Sequence, residues 1–233
     1  MRIQLQKRLN IFADETGEFG FTKGSARFYG VSFVFHEQDD SISKYVNELN
    51  VRLGLLDFYS MVHMGDLVSG HEDFAGMDIA ERRRIYTQLY RFSTKVPAKY
   101  HSVIIDKKAF NDDTLLSEAI ERELQKFVLD HLAYLQQFDE IKVYYDGGQK
   151  QLGKIIDEVF SKLSGYHRES NFDHLEKKLF QVADMLTYTD KLIYKYNKNI
   201  KFSNTEKGFF DVKTIIRIKR ELKKHRFEQN NGH

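Results

Sequence analysis

Hydrophobic period constrains this chain more than any other feature, because it changes along the sequence and then alternates. Arg8 to Asp14 (RLNIFAD) and Arg27 to His36 (RFYGVSFVFH) are short apolar and aromatic runs separated by the glycine-bearing ETGEFGFTKGS. They read as two sheet-core strands joined as a hairpin. Ile42, Tyr45, Val46, Leu49 and Leu53 then follow helical spacing. Leu55 to Gly76, which contains HMGDL, has no clear period. Asp78 and Glu81 beyond it have the spacing of a capping box, which predicts a helix over Ile79 to Phe92 that Pro97 stops. Tyr100 to Asp106 (YHSVIID) reads as a strand, Leu115 to Gln137 as a long amphipathic helix and Ile141 to Asp146 (IKVYYD) as another strand. Leu152 to Leu163, His174 to Tyr196 and Asp211 to Arg226 read as helices. Strands that come early and alternate with helices later predict an α/β three-layer domain, with a mixed central sheet and helices on both faces. Pro97 is the only proline, and no linker or repeat interrupts the chain. Residues 1–233 are therefore expected to form one domain with a basic helical extension from about residue 198 onward.

The chemistry open to such a domain is limited by what it lacks. Without cysteine there is no disulfide, thiolate metal site or cysteine nucleophile, so function must rest on oxygen and nitrogen groups, as suits a reducing cytoplasm. No apolar stretch approaches the roughly 20 residues of a membrane span, and the start MRIQLQKRLNIFADE carries no signal-peptide core. A soluble, cytoplasmic protein is expected. Charge is segregated: Lys191 to Arg226 holds twelve Lys and Arg against Glu206, Asp211 and Glu221, a balance of +9 in a chain of net charge +2. An acidic body with a basic end suggests an anionic partner met on one face, although lysines on terminal helices also serve as ordinary solvated surface.

Each of the three expected strands Arg8 to Asp14, Tyr100 to Asp106 and Ile141 to Asp146 ends on a carboxylate. Ligands of open α/β sheets bind beyond the carboxyl ends of strands, so Asp14, Asp106 and Asp146 are candidate site residues, while any one of them also suits a turn. Glu15 adjoins Asp14, and neighbours on a strand point to opposite faces. Asp14 shares its side with Phe12, and Glu15 with Ile11 and Ala13, and periodicity does not choose between them. The same alternation argues against a glycosidase built on that pair. In HLEKKLFQVADMLTYTDKL, Lys177, Gln181, Asp184, Tyr188 and Lys191 form a polar row opposite Leu175, Leu179, Val182, Leu186 and Ile193. Asp184 is either solvated there or placed at a cleft edge. No histidine spacing of the zinc hydrolases occurs.

IFADETGEFG, FYGVSFVFH and LFQVADMLTYTDKL together resemble the family catalogued as domain of unknown function 3800, which typically opens with Asp-Glu-Ser-Gly and closes with Gln-x-x-Asp. Thr16 replaces the serine and keeps the hydroxyl, and the closing element is Gln181-Val182-Ala183-Asp184. HMGDL, VIIDK and VYYDGG extend the similarity over most of the chain. The resemblance implies a ribonuclease H-like fold with acids on the first strand (Asp14), a later strand (Asp146 or Asp106) and the final helix (Asp184), with Glu15 as a fourth. If the helix at Ile79 to Phe92 is the first crossover, the strand ending at Asp106 neighbours the first strand. The spacing before YYDGG ranks Asp146 ahead of it.

Clustered carboxylates repel by about 4 kcal/mol per pair at 4 Å and an effective dielectric near 20, so such a cluster recruits cations, and hard oxygen ligands select Mg²⁺ or Mn²⁺. The implied activity is metal-dependent hydrolysis of DNA or RNA phosphodiesters. A pair of ions would be held with Asp14 bridging them and with Asp146 and Asp184 on one each. Lys177 and Gln181 could meet a phosphate or orient water, and His63 and Asp66 of HMGDL could shuttle a proton; a solvated lysine and a structural histidine are the plain alternatives. Tyr194, Tyr196, Phe202, Phe209 and Phe210 are candidate stacking surfaces or core. Two other functions fit the same residues: a non-catalytic nucleic-acid-binding or defence-associated interaction module of the same fold, and a phosphatase or nucleotide hydrolase acting on a small substrate.

Overall fold

The computed structural model describes residues 6–171 and 173–227, which form a mixed α/β fold with an open five-stranded mixed sheet and helices around it. Strands β1 (Arg8–Thr16) and β2 (Phe28–Glu37) are the expected antiparallel pair, with Phe12 opposite Val34 and Asp14 opposite Ser32. β3 (Lys99–Asp106) runs antiparallel on the far edge of β2, while β4 (Glu140–Tyr144) and β5 (Tyr166–Glu169) lie parallel to β1 on its other side. The order is therefore β3-β2-β1-β4-β5. This corrects the expectation that the strand ending at Asp106 would neighbour β1. The chain leaves β2 through helices and returns to the free edge of β2, so β4 takes the open edge of β1.

Helices cover both faces. On one side lie α1 (Ser43–Gly54), α2 (Met64–Ser69) and α3 (Ile79–Ser93); on the other lies α4 (Asp113–Asp130), followed by the short α5 (Leu132–Leu135) and by α6 (Lys150–Phe160). α7 (Glu176–Asn197), α8 (Asn204–Phe209) and α9 (Val212–Leu222) complete the first layer. β1 is apolar toward both: Leu9, Ile11 and Ala13 join Leu124 of α4 and Ile156 of α6, and Phe12 joins Leu179 and Val182 of α7. A buried aliphatic or aromatic side chain contributes about 1.5–3 kcal/mol, so a strand buried on both faces is fixed in register from two sides.

α7 crosses the sheet where bulk is missing. A Cβ on Gly30 would stand 2.7 Å from Ile104 Cδ1 and 3.1 Å from Thr187 Cγ2. Ser32 and Ser102 meet hydroxyl to hydroxyl at 2.7 Å in the same region of β2 and β3. Thr187 Oγ1 lies 2.8 Å from Ala183 O in its own helix and 3.1 Å from Asp14 O on β1. The helix is thereby pinned to the strand that carries the first acid.

The capping box at Asp78 and Glu81 is present, with both of its hydrogen bonds at 2.8 Å. The helix expected over Leu115 to Gln137 is interrupted: His131 caps α4 with non-helical φ, and α5 restarts after it. At the C-terminal end, Phe209, Phe210, Ile215, Ile218 and Leu222 are buried in the α7 layer. Phe209 and Phe210 pack against Tyr86 at 6.0 and 5.1 Å between ring centroids, so these two candidate stacking surfaces are core. Tyr194 stands edge-on to Phe28. Among the described residues no helix is long and apolar enough to cross a membrane.

Candidate functional site

Asp14 lies near the end of β1 on the face that α7 covers, the side it shares with Phe12; Glu15 points the other way, with Ile11 and Ala13. Both acids nevertheless contribute to one charged region, because the loop after β4 brings polar groups to the strand ends. The β1–β4 register pairs Phe12 with Tyr144, the last residue of β4, and the loop that follows carries Asp146 close enough for its charge to act on Asp14. The chain then turns through Gly147 at φ 82° and Gly148. A Cβ on Gly148 would lie 2.7 Å from Glu15 Oε1, so the second glycine makes room for that carboxylate. Asp146 Oδ1 accepts from Gly148 N at 3.0 Å, which fastens the turn.

Glu15 is held in detail. Its Oε1 is 3.1 Å from the Tyr145 hydroxyl and 3.3 Å from Gln149 Nε2. Gln149 Nε2 also donates to Gly17 O at 2.9 Å, and Gln149 Oε1 accepts from Phe19 N at 3.1 Å. Glu15 Oε2 is buried and has no hydrogen-bond partner among the described residues. A buried acceptor left unpaired costs about 1–3 kcal/mol and calls for a reason.

Asp184 enters from the middle of α7. Met64 N, in the first turn of α2, donates to its Oδ2 at 2.8 Å, so one carboxylate oxygen caps a helix start that has no capping bond from the His63 side chain. Gln181, only 1% exposed, accepts from Val62 N at 3.2 Å one turn earlier. The polar row of α7 therefore faces the 62–64 segment. The far end of α2 is closed by the buried Arg82, which donates to Leu67 O and Val68 O at 2.7 and 2.8 Å. His63 is exposed and Asp66 half-buried, and the charges of both act on Asp184; Lys177 is exposed near the start of α7.

Electrostatics ties the acids together. Burial raises the Asp14 carboxyl well above the ordinary carboxylate range, and the charges of Asp184, Glu15 and Asp146 raise it further. Burial also lifts Asp184 to about 6, against the opposing pull of the Met64 N–H, His63 and Lys191. Glu15 is raised by burial and then by Asp146, with the Tyr145 and Gln149 hydrogen bonds working in the other direction. Asp106 behaves differently. Arg27 forks onto it through Nε at 3.0 and 3.1 Å and Nη2 at 2.5 Å, and this holds its carboxyl below the usual range. The structure thus places Asp14 in the fields of Glu15, Asp146 and Asp184, places Glu15 in that of Asp146, and gives Asp106 to an ion pair. Among the described residues no three His, Asp or Glu side chains stand together in metal-ligating geometry.

Tyr145 and Gln149, which orient Glu15, and Thr187, which pins α7 to β1, are the residues that sequence reasoning missed. A glutamine directly after a strand-end Asp-Gly-Gly was the available signal for one of them. Compared with models of known families, with curated proteins and with solved structures, the chain matches none.

Proposed function

We propose that the protein is a metal-dependent nuclease of ribonuclease H-like fold that hydrolyses phosphodiester bonds of DNA or RNA. The observation that carries this reading is the convergence of acids on Asp14, whose carboxyl is raised by burial and then by the charges of Asp184, Glu15 and Asp146, at the carboxyl ends of β1 and β4 where α7 crosses. Like charges gathered in a half-buried place oppose folding unless something positive joins them. The strand order β3-β2-β1-β4-β5, with the long helix α7 over the central strand, supports the fold assignment.

The donor chemistry is that of a hard divalent cation, although the acids as they stand are not drawn into ligating geometry. All four groups are carboxylates, and one buried oxygen of Glu15 has no hydrogen-bond partner among the described residues. Asp14, Asp146 and Asp184 would hold Mg²⁺ or Mn²⁺, with Glu15 assisting. When bound, such ions polarise a phosphoryl oxygen and acidify water. The protein's own part is positional: the Thr187 contact sets α7 against β1, Met64 N fixes the rotation of Asp184, and Tyr145 with Gln149 fixes Glu15. Exposed His63, next to the helix start that Asp184 caps, is suited to carry a proton to or from solvent.

The test is turnover of labelled single- and double-stranded DNA and RNA with Mg²⁺ or Mn²⁺. Cleavage that a chelator stops and Asp14→Asn abolishes is expected. Binding without cleavage of any of these substrates would instead favour the interaction module, and hydrolysis confined to mononucleotides would favour the small-substrate hydrolase.

A further inference from the structure

A second feature of α7 lies outside the acid cluster. Beyond the end of β1 is a cavity of about 360 Å³ whose lining includes Thr16, Arg27, Lys191, Lys195, Lys201 and Glu206. Its four cations are not equivalent. Arg27 is committed to Asp106, and Lys195 Nζ is buried against Glu206 Oε2 at 2.5 Å. Glu206 also accepts from Ser203 N at 2.7 Å, which makes that ion pair part of the α8 cap. Lys191, by contrast, has a Tyr188 ring 4.1 Å from its Nζ and, among the described residues, no carboxylate in salt-bridge contact. Lys201 is exposed and has none either. Two lysines without salt-bridge contact thus line a cavity of small-ligand size, with the carboxylates of Glu206 and Asp184 acting on Lys191 from farther off.

Position gives this cavity a meaning. Lys191 is seven residues after Asp184 on the same helical row, about 10 Å along the axis at 1.5 Å per residue. That distance is about three nucleotide rises of 3.4 Å. An acidic centre repels a polyanion, so a strand lying across it needs cations placed beyond it, and a lysine ammonium offers three donors to phosphate. The size of the cavity suits one phosphate with its sugar and excludes a duplex.

We propose that this pocket binds a backbone phosphate of a single nucleic-acid strand, through Lys191 and Lys201, while the neighbouring part of the strand lies over Asp14 and Asp184. The proposal rests on the nuclease reading for its ligand, and binding can be measured without turnover. The probe is a fluorescent short oligothymidylate titrated against the full chain in chelator over a salt series, with inorganic phosphate as competitor. Lys191→Met is expected to weaken binding about tenfold and to reduce the salt slope by about 0.7, the value for one phosphate contact on a single strand. Exposed Lys201→Glu should weaken it at least as much, with melting unchanged, and it carries the test should the half-buried Lys191 variant fold poorly. Parent-like affinity and slope in the folded variants would overturn the pocket and leave the nuclease reading standing. Binding of inorganic phosphate that Lys201→Glu abolishes, without binding of the oligonucleotide, would overturn the assignment to a strand and count against the nuclease reading as well.

Discussion

Asp14 and Asp106 occupy equivalent places, each at or near the end of an apolar strand in one sheet, with β1 and β3 running in the same direction on either side of β2. Their surroundings make them opposites. Asp14 is half-buried among other acids, and burial with the charges of Asp184, Glu15 and Asp146 disfavours its charge against the Glu15 N–H. Asp106 faces Arg27, and its charge is favoured. A strand-end aspartate is therefore informative only with its partners. An acid paired at once with arginine braces a loop, whereas an acid surrounded by acids is kept at an energetic disadvantage that a cation would relieve.

The contrast can be broken most directly by activity. Asp14→Asn should lower metal-dependent cleavage by at least about 100-fold, since even outer partners of metal sites act on a 10–100-fold scale, while Asp106→Asn should leave it within a few-fold. Equal losses would erase the distinction. Stability should move the other way. The Asp184 carboxyl is raised to about 6 from 3.8, so the folded protein holds that proton more tightly than the unfolded chain, and stability falls as pH rises through this window. In metal-free buffer at neutral pH, Asp184→Asn, which keeps an acceptor for Met64 N, should stabilise the fold by up to about 3 kcal/mol and flatten the decline between about pH 4 and 6 in denaturant titrations.

A smaller effect tests what holds the two acids near each other. Gly30→Ala places a methyl against Thr187 and Ile104, and this overpacking should cost about 1–3 kcal/mol in urea melts. The smallest is the Asp106 pair. Its pKa is depressed, so its contribution is full above the unfolded value and is lost as pH falls through the folded one. With the Arg27 side chain exposed, solvent screening makes the loss of stability in Arg27→Gln the smallest of these effects, seen in denaturant titrations only above the acid range.

Much of the fold was legible in the sequence. The hairpin of β1 and β2 and the α3 cap follow from period and spacing that tertiary packing did not override. β5 was missed because Tyr166–Glu169 offers one apolar residue in four on an edge strand. α8 was missed although Ser203 and Glu206 form a capping box, because the helix is only six residues long. Among site residues, Asp14 could be singled out but not aimed. Ile11, Phe12 and Ala13 are all buried, so alternation alone left both faces open until α7 covered one of them. The polar row of α7 was visible, but its role was not, since Gln181 and Asp184 meet backbone N–H groups of a segment without period.

Gln149 grips three points of the β1 exit at once: the Glu15 carboxylate, the Gly17 carbonyl and the Phe19 amide. Gly17 also borders the basic cavity's Thr16 and Arg27. An occupant that shifted this exit would tug on the same amide that steadies Glu15.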